Sequence, residues 1–256
     1  MTIPQIITLF IAAMLGGTLN SVAGGGSFFS FPALYFTGVL PVQANATSTV
    51  ALWPASAAST GAYWRELTQV KRGLLFLLVG TCIIGGVIGA ILLIYTPQSI
   101  FVQLLPYLLL LATLLFTFSK SITARLHIAN IEKTQLSWPK LIASAVAQLV
   151  IAIYGGYFGG GIGILMLAGL ALMGMEDMLV MNALKNALAS CINGVAIVVF
   201  IFLHAVAWPQ AIVMITGSTV GGFGASYYAR KIDQKWIRLF VMIVGFGLTI
   251  WFFVHH

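Results

Sequence analysis

Residues 23–32 read Ala23-Gly24-Gly25-Gly26-Ser27-Phe28-Phe29-Ser30-Phe31-Pro32 and interrupt an apolar run that extends from Ile3 to about Val39. Each glycine weakens a helix by about 1 kcal/mol relative to alanine. A membrane helix tolerates such a break only where protein or a watery cavity satisfies the freed backbone groups. The run is too long for one span of roughly 20 residues and too short for two. It therefore predicts a re-entrant or broken helix.

The same feature recurs in the second half of the chain, at Phe158-Gly159-Gly160-Gly161-Ile162-Gly163. Two further matches follow in the same order. Asn45-Ala46 corresponds to Asn182-Ala183, and the glycines of 86–90 correspond to those of 221–225. Matching helix breaks in two halves are typical of transporters built from repeats. The pattern predicts an all-α polytopic membrane protein of two inverted four-segment repeats, each opening with a glycine-broken helix.

The predicted organisation is a first membrane repeat at 1–119, a basic cytoplasmic linker at 120–137 and a second membrane repeat at 138–256. The composition agrees, with 60% hydrophobic residues, 7% charged residues and a mean hydropathy of +1.04. A bilayer can bury that much apolar surface, whereas a soluble core of this size cannot. The net charge of +7 does not indicate nucleic acid, because the basic residues are scattered over short loops.

These charges also predict the orientation. Eleven of the twelve Lys and Arg residues fall in three loops, at 64–72, 120–140 and 229–238. If the segment that opens the second repeat enters and leaves on one side, all three loops face the cytoplasm, as the positive-inside rule requires. If it crossed once, the third loop would face the opposite side. The charges therefore favour the hairpin, and symmetry extends the hairpin to the first repeat.

The remaining cation, Lys185, lies within a predicted membrane segment. A charge inside the membrane is expensive and usually marks a substrate path. The alternative is that its long side chain reaches back to the cytoplasmic interface. Asn182 and Asn186 share its helix, and with Ser190 and Asn193 they form one polar face. That face suits a wet cavity, or else ordinary hydrogen bonds between helices.

The first half carries a matching polar cluster, formed by Gln43, Asn45, Thr47, Ser48 and Thr49. The glycine breaks expose backbone N–H groups at the start of each short helical arm, where the helix dipole favours an anion. The alternative role of the glycines is tight packing of a bent helix. The candidate substrate-binding residues are Gly24, Gly25, Gly26, Ser27, Asn45, Thr47, Ser48, Gly159, Gly160, Gly161, Asn182, Lys185 and Asn186.

Other classes of function lack the residues they need. The histidines, at 127, 204, 255 and 256, fall in loops or at the end, so we expect neither a metal site nor a cofactor. Gly26-Ser27 lacks a histidine in a membrane segment to activate the hydroxyl, so we expect no enzyme. There is no nucleotide-binding loop, which predicts secondary or passive transport. No Asp or Glu lies within a predicted membrane segment, which disfavours a carboxylate proton relay and leaves the coupling ion open.

With these breaks and the helix starts that follow them, Gln43-Ala44-Asn45-Ala46-Thr47-Ser48 and Asn182-Ala183-Leu184-Lys185-Asn186, the chain resembles the TauE/SafE family of sulfite and organosulfonate exporters. The resemblance covers nearly the whole chain. It implies a multi-pass protein of the bacterial plasma (inner) membrane that carries a small sulfur-containing anion. Ile162 stands where Ser27 does, and Lys185 where Ser48 does, so we expect unequal half-sites.

The function we predict is secondary transport, outward, of sulfite or an organosulfonate. The anion would sit between the two breaks, and one repeat would rock against the other. A passive anion channel and a membrane assembly or scaffold protein are the alternatives. The expected partners are the small anion and the lipid bilayer, and the sequence leaves open whether the protein is a homo-oligomer.

Overall fold

The computed structural model describes residues 1–22, 25–62, 64–128, 138–173, 175, 177–228 and 234–255, and the side chains of most of them. Within these ranges the regular secondary structure is all α-helix, joined by short turns. The helices are α1 Ile3–Val22, α2 Ser27–Phe36, α3 Pro41–Ala62, α4 Trp64–Leu67, α5 Arg72–Tyr95, α6 Gln98–Ile128, α7 Trp138–Tyr157, α8 Ile162–Leu172, α9 Met178–Phe202, α10 Trp208–Tyr228 and α11 Gln234–His255.

The first glycine break turns the chain back on itself, so α1 and α2 form a hairpin. Gly26 lies against the backbone of Gly16, and a Cβ at Gly16 would be 2.9 Å from the Gly26 carbonyl oxygen. At the other end of the pair, Gln5 Nε2 donates to the carbonyl of Thr37 over 3.4 Å. The ten residues of α2 extend about 15 Å, half of a bilayer core of roughly 30 Å. The break therefore produces a helical hairpin with one short arm, as expected of a re-entrant segment.

The second break makes the same hairpin from α7 and α8. The Ile162 side chain packs on Gly155, and a Cβ at Gly169 would lie 3.2 Å from Ile151 Cδ1. The contacts therefore move backwards along α7 as the chain moves forwards along α8. The eleven residues of α8 again extend only about half the thickness of a bilayer.

The packing of the two halves is interleaved. α1 packs on α10, and its counterpart α7 packs on α5. In the same way α3 contacts α10 while its counterpart α9 contacts α5, and the pairs α3–α9 and α6–α11 pack across the middle. If each helix of a pair is replaced by its counterpart in the other half, the result is again an observed pair. This correspondence supports the duplication. The boundaries at 119 and 138 stay predictions.

At two equivalent contacts, α5–α7 and α1–α10, glycines let the helix backbones touch. We call these two contacts the glycine joints. A Cβ at Gly89 of α5 would collide with the Ile153 carbonyl oxygen of α7, and one at Gly221 of α10 would collide with the Met14 carbonyl oxygen of α1. The matching glycines at 86–90 and 221–225 thus allow the helices to touch through their backbones. Each joint connects a helix of one half to a helix of the other.

Two short turns lie at the same end of the assembly. Gln98 Oε1 accepts a hydrogen bond from the Val42 N–H over 3.0 Å, and Thr47 Oγ1 accepts one from the Ala207 N–H over 3.0 Å. Val42 and Thr47 are both in the first two turns of α3. The turns near 97 and 207 therefore share one end, as the inverted arrangement requires. Its orientation in the membrane stays a prediction.

The structure differs from the sequence-based prediction at the end of the fourth segment. We predicted that this helix ends near Ser119, whereas α6 runs on to Ile128 and takes up the first part of the basic linker at 120–137. Residues 120–128 contain no glycine or proline, so nothing in them ends the helix. Residues 129–137, and 229–233 of the third basic loop, lie outside the described residues.

The outer surface is that of a multi-pass membrane protein. Four of the described helices have stretches long and apolar enough to cross a membrane, at Ile3–Asn20, Arg72–Tyr95, Gln98–Phe118 and Met178–Phe202. Large apolar side chains point outward from them, with Phe76 75% exposed and Phe202 77% exposed. Exposed apolar surface of this extent is stable against lipid and not against water.

Candidate functional site

A cavity of about 60 Å3 lies where the two breaks meet. Both halves of the chain contribute to its wall, and among the described residues the wall holds one formally charged side chain, Lys185. The lining residues are Asn20, Gly25, Ser27, Thr49, Leu52, Ser56, Phe158, Gly159, Gly161, Ile162, Gly163, Lys185, Asn186, Ala189 and Asn193.

The wall repeats itself across the two halves. The α3 residues Thr49, Leu52 and Ser56 correspond to Asn186, Ala189 and Asn193 of α9, each pair at the offset already seen between Asn45 and Asn182. Ser27 and Ile162 are the equivalent first residues of the two short arms. The two sides of the cavity are therefore lined by residues at equivalent positions of the predicted repeats. The equivalent of Lys185 is Ser48, which is buried outside the wall.

The glycine backbone gives each break its shape. Gly25, Gly159 and Gly161 have φ angles of 111°, 77° and 73°, in the left-handed region that side chains disfavour. Gly26 and Gly161 are the N-caps of α2 and α8, and no side chain caps either helix. Backbone carbonyls of the breaks accept several first-turn N–H groups, with Phe28 donating to Gly25 and Ile164 to Gly161, so the short arms bring mainly their positive dipole ends to the cavity.

Lys185 lies across the first turn of α8. A Cβ at Gly163 would be 3.3 Å from Lys185 Cδ and 3.8 Å from its Cγ, so the alkyl chain passes directly over this glycine. Its ammonium donates to Asn182 Oδ1 over 3.3 Å. Within the described part of the chain the ammonium makes no ion pair with a carboxylate. An ammonium on a cavity wall without a paired anion favours an anionic ligand.

Three predicted residues of the first half serve packing instead of lining the cavity. Asn45 Nδ2 donates to the Tyr157 carbonyl over 2.9 Å, and Thr47 is the acceptor for Ala207. Ser48 Oγ lies 2.5 Å from Ser30 Oγ. Asn45, Thr47 and Ser48 are all buried, and their hydrogen bonds join α3 to neighbouring segments.

Some of the remaining predicted residues line the cavity, and others hold helices or side chains in place. The structure brings Gly25, Ser27, Gly159, Gly161, Lys185 and Asn186 together in the wall. Gly26 packs on α1, while the Gly160 carbonyl accepts a 2.6 Å hydrogen bond from the Tyr154 hydroxyl. Asn182 supports the Lys185 ammonium from outside the wall and donates to the Met178 carbonyl over 2.8 Å. Gly24 lies outside the described residues.

Two polar residues of the wall were not predicted. Asn20, near the end of α1, donates to Ser56 Oγ on α3 over 2.6 Å, and both line the cavity. Ser56 was detectable as the equivalent of Asn193 in the repeat. Asn20 has a glycine, Gly155, at the equivalent position, so the repeat gave no signal for it.

The described wall residues supply hydrogen-bond donors and a cation, and they offer no cluster for a metal. Among the described residues no group of three His, Cys, Asp or Glu side chains is placed to hold an ion. The side chains of Ser27, Asn186 and Asn193 can each donate to an oxygen atom of a ligand, whereas the Thr49 hydroxyl already donates to the Asn45 carbonyl over 3.0 Å. This arrangement suits a compact anion with several oxygen atoms.

The sequence profile of a known family matches residues 9–252, and its description is Sulfite exporter TauE/SafE. Curated relatives are similar over nearly the full length. The chain is 28% identical to the "Probable membrane transporter protein ORF9" of Sinorhizobium sp over 243 residues, 94% of this chain and 90% of that protein. It is 28% identical to the "Probable membrane transporter protein" of Haemophilus influenzae over 255 residues, 96% and 94% of the two chains.

The "Probable membrane transporter protein YfcA" of Escherichia coli strain K12 is also 28% identical over 238 residues, 93% of this chain and 85% of that protein. No solved structure matches the chain. The family and the names of these relatives indicate a membrane transporter and not an enzyme. Since the profile match covers both breaks, the cavity between them and almost all of the helices, the chain belongs to the TauE/SafE sulfite exporter family.

Proposed function

We propose that this protein is a secondary transporter that binds a small sulfur-containing anion in the cavity between the two breaks and moves it outward. The observation that carries the proposal is the position of Lys185. Its side chain lies on the wall of a cavity lined by both glycine breaks, instead of extending away from it. Sulfur and the outward direction come from the family alone.

The wall can compensate the charge of an anion without a second cation. The ammonium supplies one positive charge, and the uncapped first turns of α2 and α8 add partial positive charge. A charge-assisted hydrogen bond contributes about 1.5–3 kcal/mol. Bound anion and Lys185 then form a pair inside the membrane, where either charge alone would be costly.

We also propose that access alternates by movement at the contact between α3 and α9. The cavity lies between two bundles, α1–α2–α3–α10 and α5–α7–α8–α9, and each bundle contains one of the glycine joints. Trp53 of α3 reaches across this contact, where its Nε1 donates to the Ser190 carbonyl of α9 over 3.0 Å. The moving bodies would then be these bundles. They differ from the two sequence halves because α10 packs with helices of the first half and α5 with helices of the second.

The test is anion binding and flux by purified protein with substitutions of Lys185. Sulfite binding at constant ionic strength should weaken in the order Lys, Arg, Gln, Glu, because Arg keeps the charge, Gln removes it and Glu reverses it. If Lys185→Gln loses about 2 kcal/mol of binding free energy, the anion should bind roughly 30-fold more weakly. Lys71→Gln is the matched control, since it removes the same charge at the exposed N-cap of α5.

Two results would contradict the proposal. Wild-type affinity in Lys185→Gln, with unchanged thermal unfolding, would make Lys185 an interfacial anchor. In liposomes, a transporter should give saturable counterflow of labelled sulfite, and conduction without counterflow would favour the passive channel.

A further inference from the structure

We infer that the cavity selects anions by charge and accepts a compact monovalent oxyanion while rejecting a divalent one of similar shape. The inference rests on the proposed anion site and specifies its ligand. Two observations lead to it, which are the single cation among the described wall residues and the small volume of the cavity.

Charge balance is the first argument. A monovalent anion balances the one formal charge of the described wall, that of Lys185, whereas the second charge of a divalent anion meets only partial helix-end charges and neutral hydrogen-bond donors. The other eleven Lys and Arg residues lie outside the predicted membrane segments. The other polar lining side chains, including Ser27, Thr49, Asn186 and Asn193, donate hydrogen bonds but carry no formal charge. An uncompensated charge at membrane depth is strongly disfavoured.

Volume is the second argument. One water molecule needs about 10–15 Å3 of free space in a cavity, so a cavity of 60 Å3 holds about four to six waters. This space suits an anion with its oxygens on one central atom and a small fourth substituent. For sulfite, charge selection favours hydrogensulfite. The proton then crosses the membrane on the substrate, and no carboxylate relay is needed in the wall.

The equivalent positions on the two sides of the wall give a direct way to change the selectivity. Thr49 on α3 is equivalent to Asn186 on α9, and its hydroxyl donates only to the Asn45 carbonyl one turn back, over 3.0 Å. Thr49→Lys therefore adds a second cation to the wall opposite Lys185 and removes only a local hydrogen bond. A divalent anion would then be balanced by two cations.

The experiment compares methanesulfonate and sulfate, which are both tetrahedral at sulfur and carry one and two negative charges at neutral pH. Binding to the purified full-length protein is measured by calorimetry at constant ionic strength. We expect the wild type to prefer methanesulfonate by at least ~30-fold, as expected for one uncompensated buried charge. Thr49→Lys should bring the ratio close to one or reverse it.

Thr68→Lys is the matched control, because Thr68 is exposed in the loop at 64–72, and it should keep the wild-type ratio. Asn193→Lys adds the second cation on the α9 side of the cavity, and it takes the place of Thr49→Lys in the experiment if Thr49→Lys does not fold. Equal or tighter binding of sulfate by the wild type would overturn charge selection while leaving the anion site standing. Absence of binding of methanesulfonate, sulfate and sulfite by folded wild type would overturn the proposed function as well.

Discussion

Replacing Gly89 by alanine tests the joint between α5 and α7. The new Cβ would overlap the Ile153 carbonyl oxygen and lie 2.7 Å from the Tyr157 nitrogen, both backbone atoms. Since ordinary contacts begin near 3.4 Å, the two helices would have to separate by roughly 1 Å. Overpacking of this kind costs about 1–3 kcal/mol. At about 2–4 °C per kcal/mol, a loss of ~2 kcal/mol lowers the melting temperature by about 4–8 °C.

Gly80→Ala in the same helix is the matched control. A Cβ at Gly80 would meet no atom within 4 Å, so this change should leave stability unaltered or raise it by up to about 1 kcal/mol through helix propensity. Thermal unfolding of the purified variants in one detergent measures both. Equal melting temperatures for Gly89→Ala and Gly80→Ala would refute the backbone contact between α5 and α7.

Two further predictions concern the breaks and the topology. Gly25→Ala should reduce anion binding, since Gly25 lines the cavity at a φ of 111°, whereas Gly38→Ala, at a φ of 91° in open space, should show similar backbone strain with binding intact; equal affinities would exclude a role for the first break. In a variant without Cys82 and Cys191, single cysteines at Thr68 should be labelled from the cytoplasm and those at Pro97 and Ala207 from outside. Labelling of Pro97 and Ala207 from opposite sides would contradict the inverted arrangement.

The sequence predicted the two breaks because three consecutive glycines end a helix whatever surrounds them. Asp177 is a second local feature: it is the N-cap of α9 and accepts hydrogen bonds from the Leu179 and Val180 N–H groups over 2.8 and 3.3 Å. These features depend on neighbours in the chain, and local physics is enough to fix them.

The composition of the wall was harder to predict, because a polar residue on a membrane helix can either line a cavity or form hydrogen bonds to another helix. Asn45 and Asn186 look alike in sequence, yet Asn45 bonds to the backbone of α7 while Asn186 lines the cavity. The choice depends on which helix packs opposite, and that contact is remote in sequence. For the same reason the sequence could not show that Lys185 lies over Gly163.

The pairing of α1 with α10 has a consequence for the synthesis of the protein. Among the described helices, α1 leaves the ribosome first and α10 second to last. The glycine face of α1, at Gly17, therefore enters the bilayer long before Ser218, its backbone contact on α10, exists. This contact of α1 stays unmade until α2 to α9 have been synthesised and α10 has been inserted. Closure of the α1–α10 joint is thus a late step of biogenesis, and chains cut off before α10 are exposed to membrane quality control.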